Sequence, residues 1–322
     1  MNMNTFLHKK FEFNLIKTLR INTNDSILLA ISGGQDSLCL LKLILDLRKR
    51  YYLKIGIIHI DHQWRYDSSL TTQNLISLIK TYCIPTYIYQ IHPKVYSETE
   101  ARNFRHQLFI QTAQMYKYTM IATAHSCTDQ IETCLHNLLR GTSIDGLTSM
   151  IWARTISHKI KLIKPMLNFT RSDILWFSRY FHLPIWSDFS NFYYCTIRNR
   201  TRQELIPYLK LYFQVNIEDK IHYLLQNICI DVEYLRQNTI KLYQKSRHKY
   251  LVAINKKILL SQHYSLQIRV LQLFFLHNFN QLVSLNLLEY IVNICSYKKH
   301  SFFPVSINGI IVHEYKHWLY CR

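Results

Sequence analysis

Apolar residues in this chain come in short runs, separated by longer stretches in which they recur every three to four positions. The first run, Ile27 to Ile31, ends in Ser32-Gly33-Gly34-Gln35-Asp36-Ser37, and apolar positions then continue at Leu38, Leu41, Leu45 and Leu47. That is the pattern of a buried strand, a glycine turn and an amphipathic helix. Runs over 54–61, 86–91 and 119–125 predict three further strands, and 161–165 predicts a fifth. Helical spacing fills the intervals over 68–82, 98–116, 129–140 and 171–181. Phe104, Leu108 and Met115 are the expected inward positions of the helix over 98–116. Phe6, Phe13 and Ile16 are those of an amphipathic helix at the N-terminus. Strands alternating with helices predict an α/β fold built on a doubly wound parallel sheet.

From about Tyr212 the pattern changes. Long amphipathic helices are expected over 216–244 and 266–279, and a shorter one over 285–295. Asn308-Gly309 between apolar runs predicts a β-hairpin. The expected organisation is a catalytic domain over 1–211 and a smaller, mainly helical domain over 212–322 that ends in the hairpin.

Charge changes the picture more than length does. Lys and Arg number 39 against 20 Asp and Glu, a formal net charge of +19. This exceeds what solubility requires and favours a polyanionic partner. Aromatic residues reach 14%, with 23 Tyr, and supply surfaces on which bases can stack. An A/T-rich coding sequence explains the abundance of Lys, Asn and Ile but not the shortage of acids. The eight cysteines contain no C-x-x-C pair, which points to a reducing compartment without a disulfide framework or zinc site. No stretch approaches the roughly 20 apolar residues of a membrane span, so no membrane partner is expected.

Doubly wound sheets bind ligands at the carboxyl ends of their strands. Three polar clusters fall there: 32–37, 61–65 and 125–132. In the first, Gly33 and Gly34 permit positive φ, and successive backbone N–H groups at a helix start form a concavity for phosphate oxygens. Ser32 and Ser37 add hydroxyl donors, and Ser37 is placed to cap the helix. Gln35 completes the loop. A carboxylate at Asp36 would repel phosphates unless a cation lay between them, which implies Mg²⁺. In the third cluster, Asp129 and Glu132 are spaced to share one helix face. Further on, Arg198, Arg200 and Arg202 alternate; on a regular helix they would fan out around the axis.

The string Ser32–Ser37 resembles the SGGxDS pyrophosphate loop of the N-type ATP pyrophosphatase superfamily. Several further stretches are similar to one branch of it, the tRNA(Ile)-lysidine synthetases. These are Asp61-His62-x-x-Arg65, Glu100-Ala101-Arg102-x-x-Arg105, and Thr123-Ala124-His125 followed by Asp129-Gln130-x-Glu132-Thr133 and Arg140-Gly141. Lys164-Pro165-Met166-Leu167, Trp186-x-Asp188-x-Ser190-Asn191 and Arg198-Asn199-Arg200-x-Arg202 complete the match over about 26–210. Two positions depart from the family block: Ser126 stands where a second His is usual, and Thr128 where an Asp is. The remainder resembles the family's first C-terminal domain, and a second one, present in longer members, is expected to be absent.

The resemblance implies an adenine nucleotide alpha-hydrolase-like fold, with ATP and Mg²⁺ as cofactors. It implies a tRNA(Ile) with a CAU anticodon and free L-lysine as substrates. ATP would adenylate the C2 oxygen of the wobble cytidine, and the lysine ε-amine would then displace AMP to give lysidine, switching decoding from AUG to AUA. By the same resemblance, Ser32, Gly33, Gly34, Gln35, Asp36 and Ser37 bind nucleotide, and Asp36 also holds metal. Asp36, His125 and Glu132 are the expected catalytic set. Asp129 and Glu132 hold lysine, while Arg102, Arg105, Arg198 and Arg200 bind substrate, with Lys164 as an added cation. Neutralising a lysine amine at pH 7 costs about 4.6 kcal/mol, and two carboxylates beside it raise its pKa further. They therefore favour binding over activation, and Glu132 is the candidate to take the proton as attack proceeds.

Two other functions fit the same residues less fully. One is a thiolating enzyme of the superfamily, which would ordinarily use paired cysteines. The other is a non-catalytic nucleotide- and RNA-binding module. Composition suggests a plastid stroma, with a bacterial cytoplasm as the alternative. Oligomeric state is left open, a homodimer included.

Overall fold

Strand β1 (Ser26–Ala30) sends its apolar side chains to two faces: Ile27 and Leu29 into one core cluster, Leu28 into another. A strand buried on both faces needs helices above and below it. The computed structural model describes residues 5–61, 63, 68–91, 98–157, 159–185, 197–296, 304–307 and 309–322. They divide into two units, Met1–Gln226 and Asn227–Arg322.

In the first unit β1 is joined by β2 (Lys54–Asp61), β3 (Thr86–Gln90), β4 (Met120–Thr123), β5 (Ala153–Ser157) and β6 (Ile160–Ile163), in the order β3-β2-β1-β4-β6-β5. All neighbours are parallel except β5, which runs antiparallel to β6 at the edge. The helices are α1 (Phe6–Phe13), α2 (Gln35–Tyr51), α3 (Ser68–Lys80), α4 (Glu98–Met115), α5 (Cys127–Leu139), α6 (Ile144–Leu147), α7 (Arg171–Tyr180), α8 (Ile197–Arg200) and α9 (Ile206–Tyr212). A π-helical turn, Thr201–Leu205, separates α8 from α9. Helix α10 (Ile217–Ser246) begins in this unit and ends in the next.

One face of the sheet packs Leu7, Phe11, Leu38, Ile44, Phe169 and Phe177; the other packs Phe109, Ala113 and Tyr118. Each fully buried leucine or phenylalanine contributes about 1.5–3 kcal/mol. Both expected helix faces were out of phase. In α1 the buried apolar residues are Leu7 and Phe11, followed by Leu15, whereas Phe6 and Phe13 are exposed and Ile16 is half-buried. The π-helical turn Asn14–Thr18 ends α1 after two turns and shifts the register. In α4 the buried apolar residues are Ala101, Phe109 and Ala113; Phe104 and Met115 are exposed and Leu108 is half-buried. Small residues let that helix lie close to the sheet, which the larger side chains would prevent.

Residues 212–226, given to the second domain by the sequence pattern, pack in the first unit. Ile221 of α10 lies against Cys127, Ile131 and Ile206. The second unit builds its core from the end of α10, α11 (Lys256–Leu260), α12 (Tyr264–Phe279) and α13 (Leu285–Ser296). Against them lies an antiparallel sheet of β7 (Ala253–Asn255), β8 (Val305–Ile307), β9 (Ile310–Tyr315) and β10 (Trp318–Cys321), ordered β7-β10-β9-β8. The expected hairpin is the β8–β9 pair, with Ile307 opposite Ile310 and Gly309 at φ 84°. Asn308 lies outside the described residues. No helix among the described residues is long and apolar enough to cross a membrane.

Candidate functional site

The chain order reverses at β1. It moves outward through β2 and β3, then returns to place β4 on the other side of β1. The crevice at such a switch point is where ligands bind in this fold class. The segments leaving β1 and β4 at that point are 31–37 and 124–129, two of the three polar clusters.

After β1, Gly33 takes φ 86° and turns the chain, while Gly34 is an ordinary extended N-cap at φ −75°. Only Gly33 needs the left-handed region. Helix α2 starts at Gln35, three residues earlier than the apolar spacing suggests. Ser37 therefore sits inside the first turn and does not cap; its hydroxyl donates to the Gly34 carbonyl at 2.8 Å. Ser32 Oγ lies 3.3 Å from Ser37 Oγ and accepts from the Gly34 N–H at 3.4 Å. The loop is braced from beneath by buried His59 of β2, whose Nδ1 donates to the Ile31 carbonyl at 2.8 Å. Its Nε2 lies 3.2 Å from Thr72 Oγ1. Burial pushes the His59 pKa down and keeps the ring neutral for both bonds.

Asp36 is set among charges of both signs. Burial pushes its carboxyl up to about 6, Asp129 and Glu132 add to the rise, and Arg171 and Arg202 oppose it. The amide nitrogen of Gln35 and Oδ2 of Asp61, at the end of β2, are buried without hydrogen-bond partners among the described residues. The other Asp61 oxygen accepts from the Gln63 N–H at 2.9 Å. His62 and Arg65, the remainder of that motif, lie outside the described residues, as does the stretch Trp186 to Asn191.

After β4, Ser126 opens α5 with a capping box: its hydroxyl accepts from the Asp129 N–H, and its own N–H donates to Asp129 Oδ2 at 2.9 Å. Ser126 thus fixes the Asp129 rotamer. Asp129 and Glu132 are both buried and lie side by side. Arg198 and Arg202 bridge them. Arg198 Nε donates to Glu132 Oε2 at 2.8 Å and its Nη2 to Asp129 Oδ1 at 3.3 Å. Arg202 Nη2 donates to Asp129 Oδ1 and Glu132 Oε2, each at 3.0 Å, and its Nε to Glu132 Oε1. Burial alone would raise the Asp129 pKa. His125, the Ser126 N–H and the two guanidinium groups outweigh it and hold the carboxyl below its ordinary range.

The three arginines do not all fan apart: two of them share a face and the third does not. Arg198 and Arg202, four residues apart, share one face of the helical run and meet at the same two carboxylates. Arg200 points elsewhere: it pairs with Glu204 at 3.3 Å, largely in solvent. Arg202, not singled out from the sequence as a site residue, replaces Arg200 here.

His125 carries its Nδ1 2.9 Å from Thr123 Oγ1. Burial pushes its pKa down to about 4 against the pull of Asp129, with Lys164, Arg198 and Arg102 contributing. It is neutral at pH 7. Lys164, just past β6, is buried and donates to the Ile151 carbonyl at 3.1 Å. Burial and the neighbouring Arg154 and Arg102 lower it to about 8. Arg102 and Arg105 lie on the first half of α4; partial burial, with these two arginines, Arg154 and Lys164 adding to it, lowers half-buried His106 to about 4.

Sequence reasoning also missed the support behind α5. Thr128, the second departure, donates to buried Glu218 of α10 at 2.8 Å, and Glu218 pairs with Lys210 at 2.5 Å. One turn on, Gln130 Oε1 accepts from His222 Nδ1 at 2.6 Å, and Gln130 Nε2 donates to the Met150 carbonyl at 2.9 Å. Glu218 and His222 are four apart at the start of an amphipathic helix, the one signal that marked them. The thiols of Cys127, Cys295 and Cys321 are pushed up to about 12, chiefly by burial, and are poor nucleophiles at neutral pH.

A family model described as PP-loop domain matches residues 7–209. A chloroplastic tRNA(Ile)-lysidine synthase from Gracilaria tenuistipitata var. liui is 44% identical over 320 residues, covering 99% of each chain. This chain belongs to the tRNA(Ile)-lysidine synthase family. A family member from the cyanobacterium Nostoc is 36% identical over 282 residues, covering 83% of this chain and 82% of that one. Among solved structures, the U34-tRNA thiolase NcsA of Methanococcus maripaludis, with its [4Fe-4S] cluster, shares the fold. Its TM-score is 0.56 at 15% identity, over 68% of this chain and 77% of that one.

Proposed function

We propose that this chain joins free L-lysine to C2 of the wobble cytidine in the CAU anticodon of an isoleucine tRNA, with ATP converted to AMP and diphosphate. One observation carries the reading: the glycine loop after β1 and the carboxylate pair after β4 flank the same crevice, close enough for Asp129 and Glu132 to raise the Asp36 pKa. A phosphate cradle and an ammonium site so placed suit a reaction that activates an oxygen and then replaces it with an amine.

In the first step the cytidine O2 attacks the α-phosphorus of ATP and diphosphate leaves. The N–H groups of the loop and α2, with the exposed hydroxyl of Ser32, face the charge that develops on the phosphates. Mg²⁺ suits this loop. A buried carboxylate with a raised pKa gains by pairing with a cation, and Mg²⁺ ordinarily takes only one or two carboxylates besides phosphate oxygens. Asp36 would hold it, and the ion would supply charge neutralisation between the carboxylate and the phosphates. Neutral His125 contacts the nucleotide through its ring, and Arg102, Arg105 and Lys164 supply positive charge along the tRNA backbone.

In the second step the lysine ε-amine attacks C2 and AMP leaves. Asp129, held ionised, binds and orients the ammonium, and Glu132 takes the proton lost as the C–N bond forms. The second unit and Arg200 contact tRNA. We assign the chain to a plastid stroma, on its composition and its likeness to a chloroplastic relative.

The test is incorporation of labelled lysine into two CAU-anticodon transcripts, isoleucine and elongator methionine, with AMP quantified. Lysine entering only the isoleucine transcript, one AMP per lysine, is the expected result. AMP released without lysine incorporation would point to another acceptor and refute the reading.

A further inference from the structure

The carboxylates read above as the lysine site are filled by the chain's own arginines, and the arrangement dictates how lysine enters. A carboxylate offers about four lone-pair sites. Asp129 uses four: two bonds from the Ser126 N–H and hydroxyl, one from Arg198 and one from Arg202. Glu132 uses three: one from Arg198 and two from Arg202. One acceptor site remains, whereas an ammonium brings three N–H donors. The charges also close, since two carboxylates and two guanidinium groups sum to zero. Lysine has neither the acceptors nor the net negative charge it needs while both arginines stay.

We propose that lysine binds by exchange, its ε-ammonium displacing Arg198 while Arg202 remains. This rests on the reading of Asp129 and Glu132 as the lysine site. Departure of Arg198 frees one acceptor on Asp129 and one on Glu132. With the acceptor already open, that makes three, the number an ammonium satisfies. It also leaves one net negative charge, matching one lysine. Exposure separates the two arginines: the Arg198 side chain is 41% exposed, that of Arg202 23%, and that of Glu132 0%. Arg198 makes two of the bonds and Arg202 makes three. The more exposed and less bonded guanidinium is the one that exchanges.

Exchange resolves a conflict in the chemistry. A bare pair of carboxylates would bind the ammonium firmly and hold its proton just as firmly. Arg202, kept in place, cancels one of the two charges, so the amine is bound by a site of net charge −1 and releases its proton more readily. Arg198 becomes a specificity device: an amino acid without a terminal cation cannot displace it.

Equilibrium binding of L-lysine to the full-length chain, without ATP or tRNA, tests the exchange. Arg198→Gln is expected to bind lysine about tenfold more tightly, because a site occupied by a competitor binds in proportion to its free fraction. Arg202→Gln is expected to bind it no more tightly than the wild-type chain. In the unmutated chain, where folding is not at issue, saturating lysine should speed modification of Arg198 by phenylglyoxal, read by peptide mass spectrometry, and leave Arg202 protected. Unchanged or weaker lysine binding in Arg198→Gln, or lysine protecting Arg198 from the reagent, would overturn the exchange. Asp129→Asn separates the two claims: if it binds lysine like the wild-type chain, the lysine-site reading itself fails.

Discussion

The loop after β1 and the helix start after β4 border one crevice on opposite terms. The loop holds polar groups that the fold leaves without full partners. Gln35 carries an amide nitrogen that no described residue satisfies, and the Asp36 carboxyl is raised to about 6 by burial and like charges. On α5, by contrast, nearly every carboxylate lone pair is taken by Ser126, Arg198 or Arg202. On the proposed reading, the loop that receives a polyphosphate and a cation is left under-satisfied, whereas the site for one small ammonium is kept stoppered until that ammonium arrives. A buried carboxylate pair without a counter-ion would be too costly to keep ionised, whereas a half-exposed one is not.

Substitutions can break this contrast. The largest effect is expected at Asp36. Asp36→Ala should slow formation of diphosphate by about 10²–10³-fold, with lysine affinity unchanged by calorimetry. Loss of lysine binding as well would show that the loop and α5 are not separable. Next comes Glu132→Gln, which should cut lysine transfer about a hundredfold and lower stability by about 3 kcal/mol, since Arg202 loses its buried partner. Denaturant unfolding checks the second figure.

Asp36→Asn sharpens the contrast through pH. A carboxyl whose pKa is raised by folding adds stability below its unfolded value near 3.8, and that contribution is lost as pH rises through about 6. Replacing it with a neutral amide should therefore stabilise the ligand-free protein at pH 8 by about 3 kcal/mol, and the gain should vanish near pH 4. Thermal melts across that range test it, and an equal gain at both ends would remove burial as the cause. The smallest effect is at Arg200. Arg200→Ala should leave lysine affinity within about twofold and reduce the salt slope of tRNA binding by about one unit, as loss of one phosphate contact requires.

The sheet was legible because each central strand is a local apolar run bounded by polar residues, and its carboxyl-end loops follow directly. Edge strand β5, with Ala153, Arg154 and Thr155 exposed, had no such run to betray it. Helix faces were misread where a local irregularity or small residues intervened, at the π-helical turn after α1 and at Ala101 and Ala113 of α4. The loop 32–37 was legible as chemistry because its residues are contiguous. The clamp on Asp129 and Glu132 was not. It depends on Arg202 reaching 70 residues back along the chain, from a π-helical turn that no propensity marks. The two departures at Ser126 and Thr128 have structural partners in Asp129 and Glu218. The first is a local capping box three residues long, whereas the second depends on α10, which only the fold brings to α5.

The central claim is that adenylation belongs to the loop after β1 and lysine transfer to α5. Single-turnover formation of diphosphate and of adenylated tRNA by Glu132→Gln, with ATP, isoleucine tRNA and lysine present, tests it most directly. The account predicts diphosphate at the wild-type rate and accumulation of adenylated tRNA carrying no lysine. Loss of diphosphate formation in step with loss of lysine transfer, in a variant that folds, would contradict it.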